Sequence, residues 1–392
     1  MHELSCQRDQ FSLPRDVHYL NCAYMGPLSV ATQQAGVAGV LRKANPSTIG
    51  ASDFYDEANQ ARALFARLVN VEDANRIAIV PSASYGLAAA ARNLACTAGQ
   101  NIVVTAEQFP SNVYVWRKLA RQRNAQVRTV SALSMQQRGA AWNEALAEAI
   151  DERTAIVAVP HVHWTDGTRF DLERIATRAR SFGAAVVIDG TQSVGALPFD
   201  VQRIKPDALV CAGYKWLLGP YSLGFAYYGP RFDEGEPLEE NWIAREGSED
   251  FRALVNYGDR YQPGALRYDM GERSNFVLLP MAVAALRQIL EWQPERIQRY
   301  CRELFAAAIP ELRDLGFAVE KGEWRGAHPF GVRTPASVDL AALHAELQRA
   351  NVGAALRGSA LRIAPNVYND GADVEALMNV LRISVGTSAV RP

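Results

Sequence analysis

The sequence has few cysteines, no long apolar run and almost no net charge, and each absence excludes a class of protein. Its five cysteines are scattered through 392 residues and odd in number, which favours free thiols over a disulfide framework. No apolar run reaches the roughly 20 residues that a membrane-spanning helix needs. The polar segment 1–16 has no hydrophobic signal region. We therefore expect a cytoplasmic protein with no membrane as partner.

Charge and ligand motifs exclude further functions. The 41 basic and 42 acidic residues leave a net charge of −1, which gives no electrostatic reason to bind nucleic acid. The six histidines form no HExxH or similar cluster, and no cysteine pair has metal-ligand spacing, so no metal site is expected. The sequence also lacks a GxGxxG motif after an early strand and a P-loop motif, which speaks against a nucleotide-binding protein.

The alternation of apolar strands with helix-like segments predicts the fold. Continuous runs rich in valine and isoleucine are typical of strands that are buried on both faces. We predict an α/β protein whose large domain has a mostly parallel seven-stranded sheet, followed by a smaller α+β C-terminal domain. The expected divisions are an N-terminal arm over 1–28, a large domain over 29–265 and a small domain over 266–392. The seven strands are expected at 76–80, 101–105, 126–130, 154–160, 184–189, 208–212 and 223–228.

Helical periodicity predicts the segments between and after these strands. The small domain is expected to contain short strands at 318–320, 331–334, 352–356 and 361–364. Helices are expected at 30–43, 52–70, 83–95, 111–124, 140–150, 171–182, 280–305 with a bend near Pro294, 338–350 and 372–382.

Two charged residues follow buried strands in the middle of the sequence. Asp189 ends the apolar run 184–188, and Lys215 comes soon after the apolar run 208–212. Ligands of open α/β sheets bind beyond the carboxyl ends of the strands, so we expect the carboxylate and the amine to meet in one crevice. We interpret them as the two groups that hold pyridoxal 5′-phosphate (PLP), with Lys215 as an imine and Asp189 against the pyridine nitrogen. A surface lysine and an acid that caps the next turn are the alternatives.

Two further segments offer groups to such a cofactor. The amide of Gln192 could donate to the phenolic oxygen of the ring. The turn 82–86, which contains Ala83 and Ser84 and precedes an alanine-rich helix, has the form of a phosphate site at a helix N-terminus. An ordinary serine N-cap is the alternative for this turn. Phe109, which follows a strand, could stack on the ring or belong to the core.

Other candidates concern the substrate. His163 and Trp164 follow the strand 154–160, although a lone histidine is more often structural than catalytic. Arg362 lies within an apolar segment and could bind a carboxylate with its planar fork, or form a structural salt bridge.

Several segments together resemble the class V aminotransferase group of fold type I PLP enzymes. This group includes cysteine desulfurases, kynureninases and isopenicillin N epimerase-like proteins. The resemblance spans residues 19 to 369, nearly the whole chain. The segments that carry it are VVIDGTQSVGALPFDV, CAGYKWLLGPYSLGFAYY, GERSNF and LRIAPNVYN, with weaker support from YLNCAYMGP and EQFPSN.

The resemblance implies a role for each matching residue. It implies Lys215 as the Schiff-base lysine, Asp189 at the pyridine nitrogen and Gln192 near the phenolic oxygen. The phosphate would be held by Ala83, Ser84 and Tyr214, while Phe109 would stack on the ring. Ser274 and Asn275 would reach the phosphate of the neighbouring subunit, which implies a homodimer with active sites at the interface. Arg362 would bind the substrate carboxylate, and His163 would lie over the ring. The substrate pocket would be lined by Asn21, Tyr24 and Trp164.

The departures from the family pattern narrow the expected reaction. Cysteine desulfurases carry a nucleophilic cysteine shortly before the carboxylate-binding arginine, and the segment 352–361 has none. On this ground we expect that the protein is not a persulfide-forming cysteine desulfurase. We expect an amino-acid substrate that forms an external aldimine and loses its Cα proton to Lys215.

The same residues would support three different reactions after the Cα proton is lost. An aminotransferase is favoured, because no extra nucleophile or metal cluster is visible. A β-lyase that cleaves C–S or C–C bonds and an amino-acid epimerase are the enzymatic alternatives, and an α/β protein that only binds a small molecule is the non-enzymatic one. His163, Trp164 and Tyr24 are the residues expected to select the outcome.

Overall fold

Thirteen strands and twelve α-helices make up the described part of the chain, residues 3–134, 137–358 and 360–386 of this computed structural model. The strands are β1 His18–Tyr19, β2 Ile77–Val80, β3 Asn101–Thr105, β4 Gln126–Val130, β5 Thr154–Pro160, β6 Ala185–Asp189, β7 Ala208–Ala212, β8 Gly224–Tyr228, β9 Ala318–Val319, β10 Phe330–Arg333, β11 Val352–Gly353, β12 Ala355–Arg357 and β13 Ala360–Ile363. The helices are α1 Val30–Ala44, α2 Asp56–Leu68, α3 Ala83–Asn93, α4 Ser111–Arg123, α5 Arg138–Ala149, α6 Leu172–Ser181, α7 Val201–Ile204, α8 Leu278–Trp292, α9 Pro294–Leu304, α10 Ala308–Asp314, α11 Leu340–Arg349 and α12 Gly371–Gly386.

Seven of these strands form one sheet in the order β2-β8-β7-β6-β5-β3-β4. Only β8 runs antiparallel to its neighbours, β2 and β7. The central strands β6 and β7 are buried along their whole length and β5 at all but one residue, as expected when helices cover both faces of a parallel sheet. The predicted mostly parallel seven-stranded sheet is therefore confirmed.

A second, smaller unit contains a four-stranded antiparallel sheet in the order β12-β13-β10-β9. Its core is built by Leu361 and Ile363 of β13 together with apolar residues of α10, α11 and α12. This confirms the smaller α+β part. The boundary near residue 265 stays a prediction. Helix α8, just beyond that boundary, packs against α1 and α2, and its Leu279 and Leu286 join the core of the large sheet.

The region 280–305 differs from the single bent helix predicted there. It forms two helices, α8 and α9, because Gln293 adopts a left-handed backbone with φ of 64° between them. Pro294 then occupies the first position of α9, where its missing N–H costs nothing. Two helices, α7 and α10, were not predicted. Helix α7 has only four residues, too few to show helical periodicity, and α10 contains Pro310, a residue that usually interrupts a helix.

The topology brings six strand ends to one side of the sheet. Strands β2, β3, β4, β5, β6 and β7 run in the same direction. Their carboxyl ends therefore face one edge, where open α/β sheets bind ligands. Across the described residues, none of the helices combines the length and apolar character that crossing a bilayer requires.

The N-terminal arm closes against this edge. Strand β1 pairs in parallel with β11 of the small unit. Further along the arm, the N–H of Gly26 donates to the carbonyl of Tyr214 over 2.9 Å. A Cβ atom at position 26 would lie 2.1 Å from the carbonyl oxygen of Lys215, so this approach requires glycine.

A buried ion cluster ties the segment after residue 264 to the sheet. Asp269 and Arg62 are each 1% exposed and form a salt bridge, in which Arg62 Nη1 donates to Asp269 Oδ1 over 2.8 Å. The same carboxylate accepts the N–H of Ile79 in β2 over 2.8 Å, and Arg273 Nε lies 2.8 Å from its other oxygen. Two buried cations thus depend on one carboxylate.

Replacement of this carboxylate should therefore destabilise the fold strongly. In Asp269→Ala two buried guanidinium groups lose their counterion, which should lower the free energy of unfolding by about 3–5 kcal/mol. Equilibrium unfolding in urea measures the change. Asp314→Ala, at an exposed position at the end of α10, is the matched control and should stay within about 0.5 kcal/mol of the wild type. A loss below about 1 kcal/mol in Asp269→Ala would contradict the role of the cluster.

Candidate active site

A cavity of about 270 Å³ lies at the carboxyl ends of the strands. Each of β2, β3, β5, β6 and β7 contributes residues to its wall, either at its end or in the loop that follows. Eight of the sequence-predicted residues line this cavity: Ala83, Ser84, Phe109, Trp164, Asp189, Gln192, Tyr214 and Lys215. A larger cavity, of about 1180 Å³, contains none of the sequence-predicted residues.

Lys215 is a buried amine, 6% exposed, in the loop after β7. Burial lowers its pKa to about 8, and the charges of Arg362 and Arg357 lower it further, while Asp189 opposes the shift. The amine nitrogen lies 5.4 Å from the ring centres of both Phe109 and Tyr214. Such an amine is neutral often enough near neutral pH to act as a nucleophile or base.

Asp189 ends β6 and is buried at the floor of the cavity. Burial raises the pKa of its carboxyl group, whereas hydrogen bonds from Thr191 and the charge of Lys215 oppose this shift. The N–H of Thr191 donates to Asp189 Oδ1 over 3.0 Å, and the hydroxyl oxygen of Thr191 accepts the N–H of Ala212. A carboxylate held in this way suits a cationic ligand atom, such as a protonated pyridine nitrogen.

The N-terminus of α3 offers donors for a phosphate at the end of β2. Ser82 caps the helix by accepting the N–H of Tyr85, and its hydroxyl shares a hydrogen bond of 2.9 Å with that of Ser84. The N–H groups of Ala83 and Ser84, at the first two helical positions, have no acceptor among the described residues. Free N–H groups at a helix start bind phosphate well, so this turn fits PLP.

Gln192 is buried and forms hydrogen bonds to two other parts of the protein. Its side-chain nitrogen donates to the carbonyl of Ala23 over 3.1 Å, and its oxygen accepts the indole N–H of Trp216 over 2.9 Å. One N–H of the amide remains for a ligand oxygen. Gln192 thus joins the N-terminal arm to the lysine loop as well as lining the cavity.

Phe109 and Trp164 form the aromatic wall. Their rings meet edge to face, with centroids 5.5 Å apart. The indole N–H of Trp164 donates to the carbonyl of Glu107 over 2.7 Å, which fixes the ring at the cavity. Both residues are therefore placed to contact a planar ring or its substrate.

Arg362 is a buried cation beside the aromatic wall, 1% exposed. Its Nη1 donates to the carbonyl of Trp164 over 2.7 Å, and its Nη2 donates to Asn21 Oδ1 over 3.3 Å. Its Nε has no partner, and no carboxylate among the described residues pairs with it. Burial lowers the pKa of the guanidinium to about 10, and Arg357 lowers it further. The alternative of a structural salt bridge thus finds no acid among the described residues, and the binding of an anion by Arg362 stays a prediction.

Tyr24 lies at the mouth of the site and is 58% exposed. Together with Asn21 and Arg357 it lines a shallow groove of about 350 Å³ rather than the cavity itself.

His163 does not reach the cavity, which corrects its expected position over the cofactor ring. It is fully buried and packs against the ring of Trp142 at 4.8 Å. Its Nε2 donates to the carbonyl of Ala106, and its Nδ1 accepts from the hydroxyl of Thr165 over 2.8 Å. Burial lowers its pKa. With both nitrogens engaged, His163 holds the turn that presents Trp164, the neighbour that does line the cavity.

Ser274 and Asn275 lie outside the cavity of their own chain. Ser274 donates to the carbonyl of Phe54 over 2.5 Å. Asn275 accepts the N–H groups of Val277 and Leu278 at the start of α8. Their contact with a neighbouring subunit's phosphate stays a prediction.

Two residues at the site were not predicted from the sequence. Thr191, which holds Asp189, stands between Asp189 and Gln192 in the motif DGTQ, so its position was the available signal. Arg357 lies over the ring of Trp164, with its guanidinium carbon 5.6 Å from the ring centre. The sequence gives no sign of that contact, because it depends on the register of the β12–β13 hairpin.

Comparison with known proteins gives a consistent family match. The family model described as aminotransferase class-V matches residues 43–326, more than half of the chain. The uncharacterized aminotransferase YcbU of Bacillus subtilis is 28% identical over 312 residues, covering 79% of each chain. Isopenicillin N epimerase of Streptomyces clavuligerus is 27% identical over 339 residues, covering 83% of this chain and 84% of the relative. A cysteine desulfurase of Shigella sonnei is 26% identical over 320 residues, covering 77% and 75%.

Solved structures share the fold. The cysteine desulfurase of Thermococcus onnurineus NA1 matches 98% of this chain and 100% of its own, with a TM-score of 0.84 and 19% identity. C-DES, solved as a mutant with glycine covalently linked to its PLP cofactor, matches with a TM-score of 0.80 and 19% identity over 96% and 99%. Another structure describes C-DES as a cystine C–S lyase bound to cysteine persulfide. The predicted fold of type I PLP enzymes is confirmed.

The same comparisons correct one expectation. Because the segment 352–361 has no cysteine, we expected that the protein is not a persulfide-forming cysteine desulfurase. That exclusion is wrong, since cysteine desulfurases stand among both the sequence relatives and the matching structures. The composition of one segment is too narrow a criterion to separate this chain from relatives that share its whole fold.

The lowered pKa of Lys215 predicts how the apo-protein captures PLP at different pH. Only the neutral amine attacks an aldehyde, so the capture rate should rise about tenfold per pH unit below the pKa of about 8 and level off above it. Borohydride trapping and mass spectrometry at timed intervals measure the rate. Because Asp189 raises the pKa of Lys215, Asp189→Asn should move the midpoint to lower pH. A midpoint near the ordinary lysine value of 10.5 would contradict the assignment.

Proposed function

This chain belongs to the class V aminotransferase family, and on that premise we propose that it transfers the amino group of a free amino acid. PLP is its cofactor. The observation that carries the proposal is that the buried amine Lys215 and the buried carboxylate Asp189 line one cavity, while the buried cation Arg362 donates to the carbonyl of Trp164 in the wall of that cavity. Arg362 has no acidic partner among the described residues. These are the groups that an amino-acid substrate and a pyridine ring require.

Arg362 would orient the substrate. Its guanidinium is held by the carbonyl of Trp164 and the side chain of Asn21, and it keeps an unpaired Nε. A substrate carboxylate would accept a bidentate pair of hydrogen bonds from it. This contact fixes the direction of the bonds at Cα relative to Lys215.

Lys215 would move the proton. Its amine, with a pKa of about 8, accepts the Cα proton of an amino acid held by Arg362, because burial stabilises its neutral form. The aromatic wall of Phe109 and Trp164 would bound one side of the space where the proton moves.

Asp189 and the start of α3 would hold the two ends of the cofactor. PLP, when bound, supplies an electron sink for the charge that develops at Cα. Asp189, fixed by Thr191, would pair with the pyridine nitrogen and favour its protonated form. The N–H groups of Ala83 and Ser84 would donate to the phosphate, as would the hydroxyl of Tyr214 across the cavity.

We extend the proposal to a homodimer in a reducing, cytoplasmic environment. Val37, Val40 and Leu41 form an apolar stripe on α1, each more than half exposed, and α1 packs beside the Phe276 carbonyl next to Ser274. A second copy that packs against this stripe would bring Ser274 of one subunit near the cavity of the other subunit. Analytical ultracentrifugation tests this: Val40→Glu should give monomers, whereas Leu133→Glu, an exposed control, should not. A dimer that survives Val40→Glu would contradict this interface.

An amino-acid panel tests the reaction. The holoenzyme is incubated with each amino acid and a 2-oxo acid acceptor, and the products are quantified. Formation of the matching 2-oxo acid together with amination of the acceptor would support transfer. Ammonia with pyruvate would assign a β-elimination instead, inversion with solvent deuterium at Cα an epimerase, and alanine with sulfide from cysteine a desulfurase. Any of these three, without transfer, would overturn the proposal.

Two variants test the roles of the residues. Lys215→Ala should lower kcat by about 10²–10⁴-fold and abolish covalent capture of PLP. Arg362→Gln should raise KM for amino acids about 10–100-fold, because one charge-assisted pair is lost, with a smaller change in kcat. Steady-state kinetics measure both. Unchanged KM in Arg362→Gln would contradict its role in carboxylate binding.

A further inference from the structure

A second arginine shares the face of the hairpin on which Arg362 lies. In the antiparallel pair β12–β13, Arg357 is opposite Ala360, and Ala355 is opposite Arg362. Because alternate residues of a strand point to the same side, all four side chains lie on one face. The other face carries Leu356 and Leu361, which pack into the core of the small unit. The two arginines are therefore diagonal neighbours, with only alanine methyl groups beside them.

This face is turned towards the site. Arg362 donates to the carbonyl of Trp164, and the guanidinium of Arg357 lies over the ring of the same tryptophan, 5.6 Å from its centre. Arg357 also lines the groove of about 350 Å³ with Asn21 and Tyr24. Asn21 in turn accepts a hydrogen bond from Arg362. The groove therefore adjoins Arg362 through Asn21.

Neither arginine has a counterion in the part of the chain that the structure describes. Within the described residues, Arg357 forms no ion pair; its Nη1 donates to the carbonyl of its own neighbour Leu356, and its Nε is buried without a partner. Among the described residues that line the cavity and the groove, Asp189 is the only acidic one, and it faces the cofactor end. The charge of Arg357 lowers the pKa of both Lys215 and Arg362, which shows that its field reaches the site. Two like charges on one face are unfavourable unless an anion joins them.

We propose that Arg357 binds a second carboxylate, and that the substrate is an amino acid whose side chain ends in a carboxylate. This inference rests on the proposed function, since it assumes that Arg362 receives the α-carboxylate. The substrate would place its α-carboxylate at Arg362 and extend its side chain past Trp164 into the groove. Arg357 is then a specificity-determining residue that takes no part in proton transfer.

Equilibrium binding of simple carboxylates to the holoenzyme tests the inference without turnover. Calorimetry compares succinate with butyrate, glutarate with valerate and adipate with hexanoate, so that each pair differs mainly in the second carboxylate. In the wild type, at least one dicarboxylate should bind 10-fold or more tightly than its partner. In Arg357→Gln this ratio should fall below about threefold, and Arg357→Lys should restore part of it. Arg349→Gln, an exposed arginine of α11 that pairs with Glu346, should keep the wild-type ratio.

A ratio near one in the wild type, or one that persists in Arg357→Gln, would overturn the inference. Kinetics give a second readout: Arg357→Gln should raise KM for dicarboxylic amino acids about 10-fold or more, with kcat changed less than threefold. A fall in kcat with unchanged KM would also overturn it. Failure of the proposed function appears elsewhere, as β-elimination, epimerisation or desulfuration without amino transfer in the product panel, whereas the dicarboxylate ratio is measured whether or not the enzyme turns over.

Discussion

The burial of charged groups at one end of the sheet is the constraint on which the rest of the site depends. Asp189, Lys215 and Arg362 are all taken out of water, and a buried charge is costly unless a partner offsets it. Asp189 and Lys215 carry opposite charges that partly offset each other, and Thr191 also donates to Asp189. Arg362 donates to the carbonyl of Trp164 and has no acidic partner among the described residues. These electrostatics suit the pyridine nitrogen of the cofactor at Asp189 and, under our proposal, a substrate carboxylate at Arg362.

Much of this arrangement could be predicted from the sequence. Buried parallel strands appear in it as unbroken runs of valine and isoleucine, and ligands bind at the edge of the sheet where these strands end. Asp189 and Lys215 follow from that rule alone. His163 and Trp164 show its limit. They are neighbours beyond the end of β5, in a tight turn in which the N–H of Gly167 donates to the carbonyl of His163. Because the alternation of side chains along a strand does not continue into a turn, it does not predict which of the two faces the core. Arg357 was equally hidden, since the pairing of Arg357 with Ala360 across the hairpin decides which face it shares.

The family relationship and the site answer different questions. Relatives that carry the names aminotransferase, epimerase and cysteine desulfurase lie at 26–28% identity, a range over which one fold supports several outcomes at Cα. The groups that hold the cofactor are the common part. We propose that the residues around the substrate, here Trp164, Tyr24 and the two arginines of the hairpin, distinguish one member from another. The failure of the cysteine criterion shows that one missing residue type does not settle which reaction a member catalyses.

The N-terminal arm has a consequence for how the protein is made. Its β1 pairs with β11, Arg8 forms a salt bridge with Asp373, and Gly26 rests on the carbonyl of Lys215. Segments from both ends of the sequence thus close over the lysine loop. During synthesis, β11 and Asp373 follow the lysine loop by more than 130 residues, so the contacts that hold the arm to the small unit can form only after the lysine loop has been made.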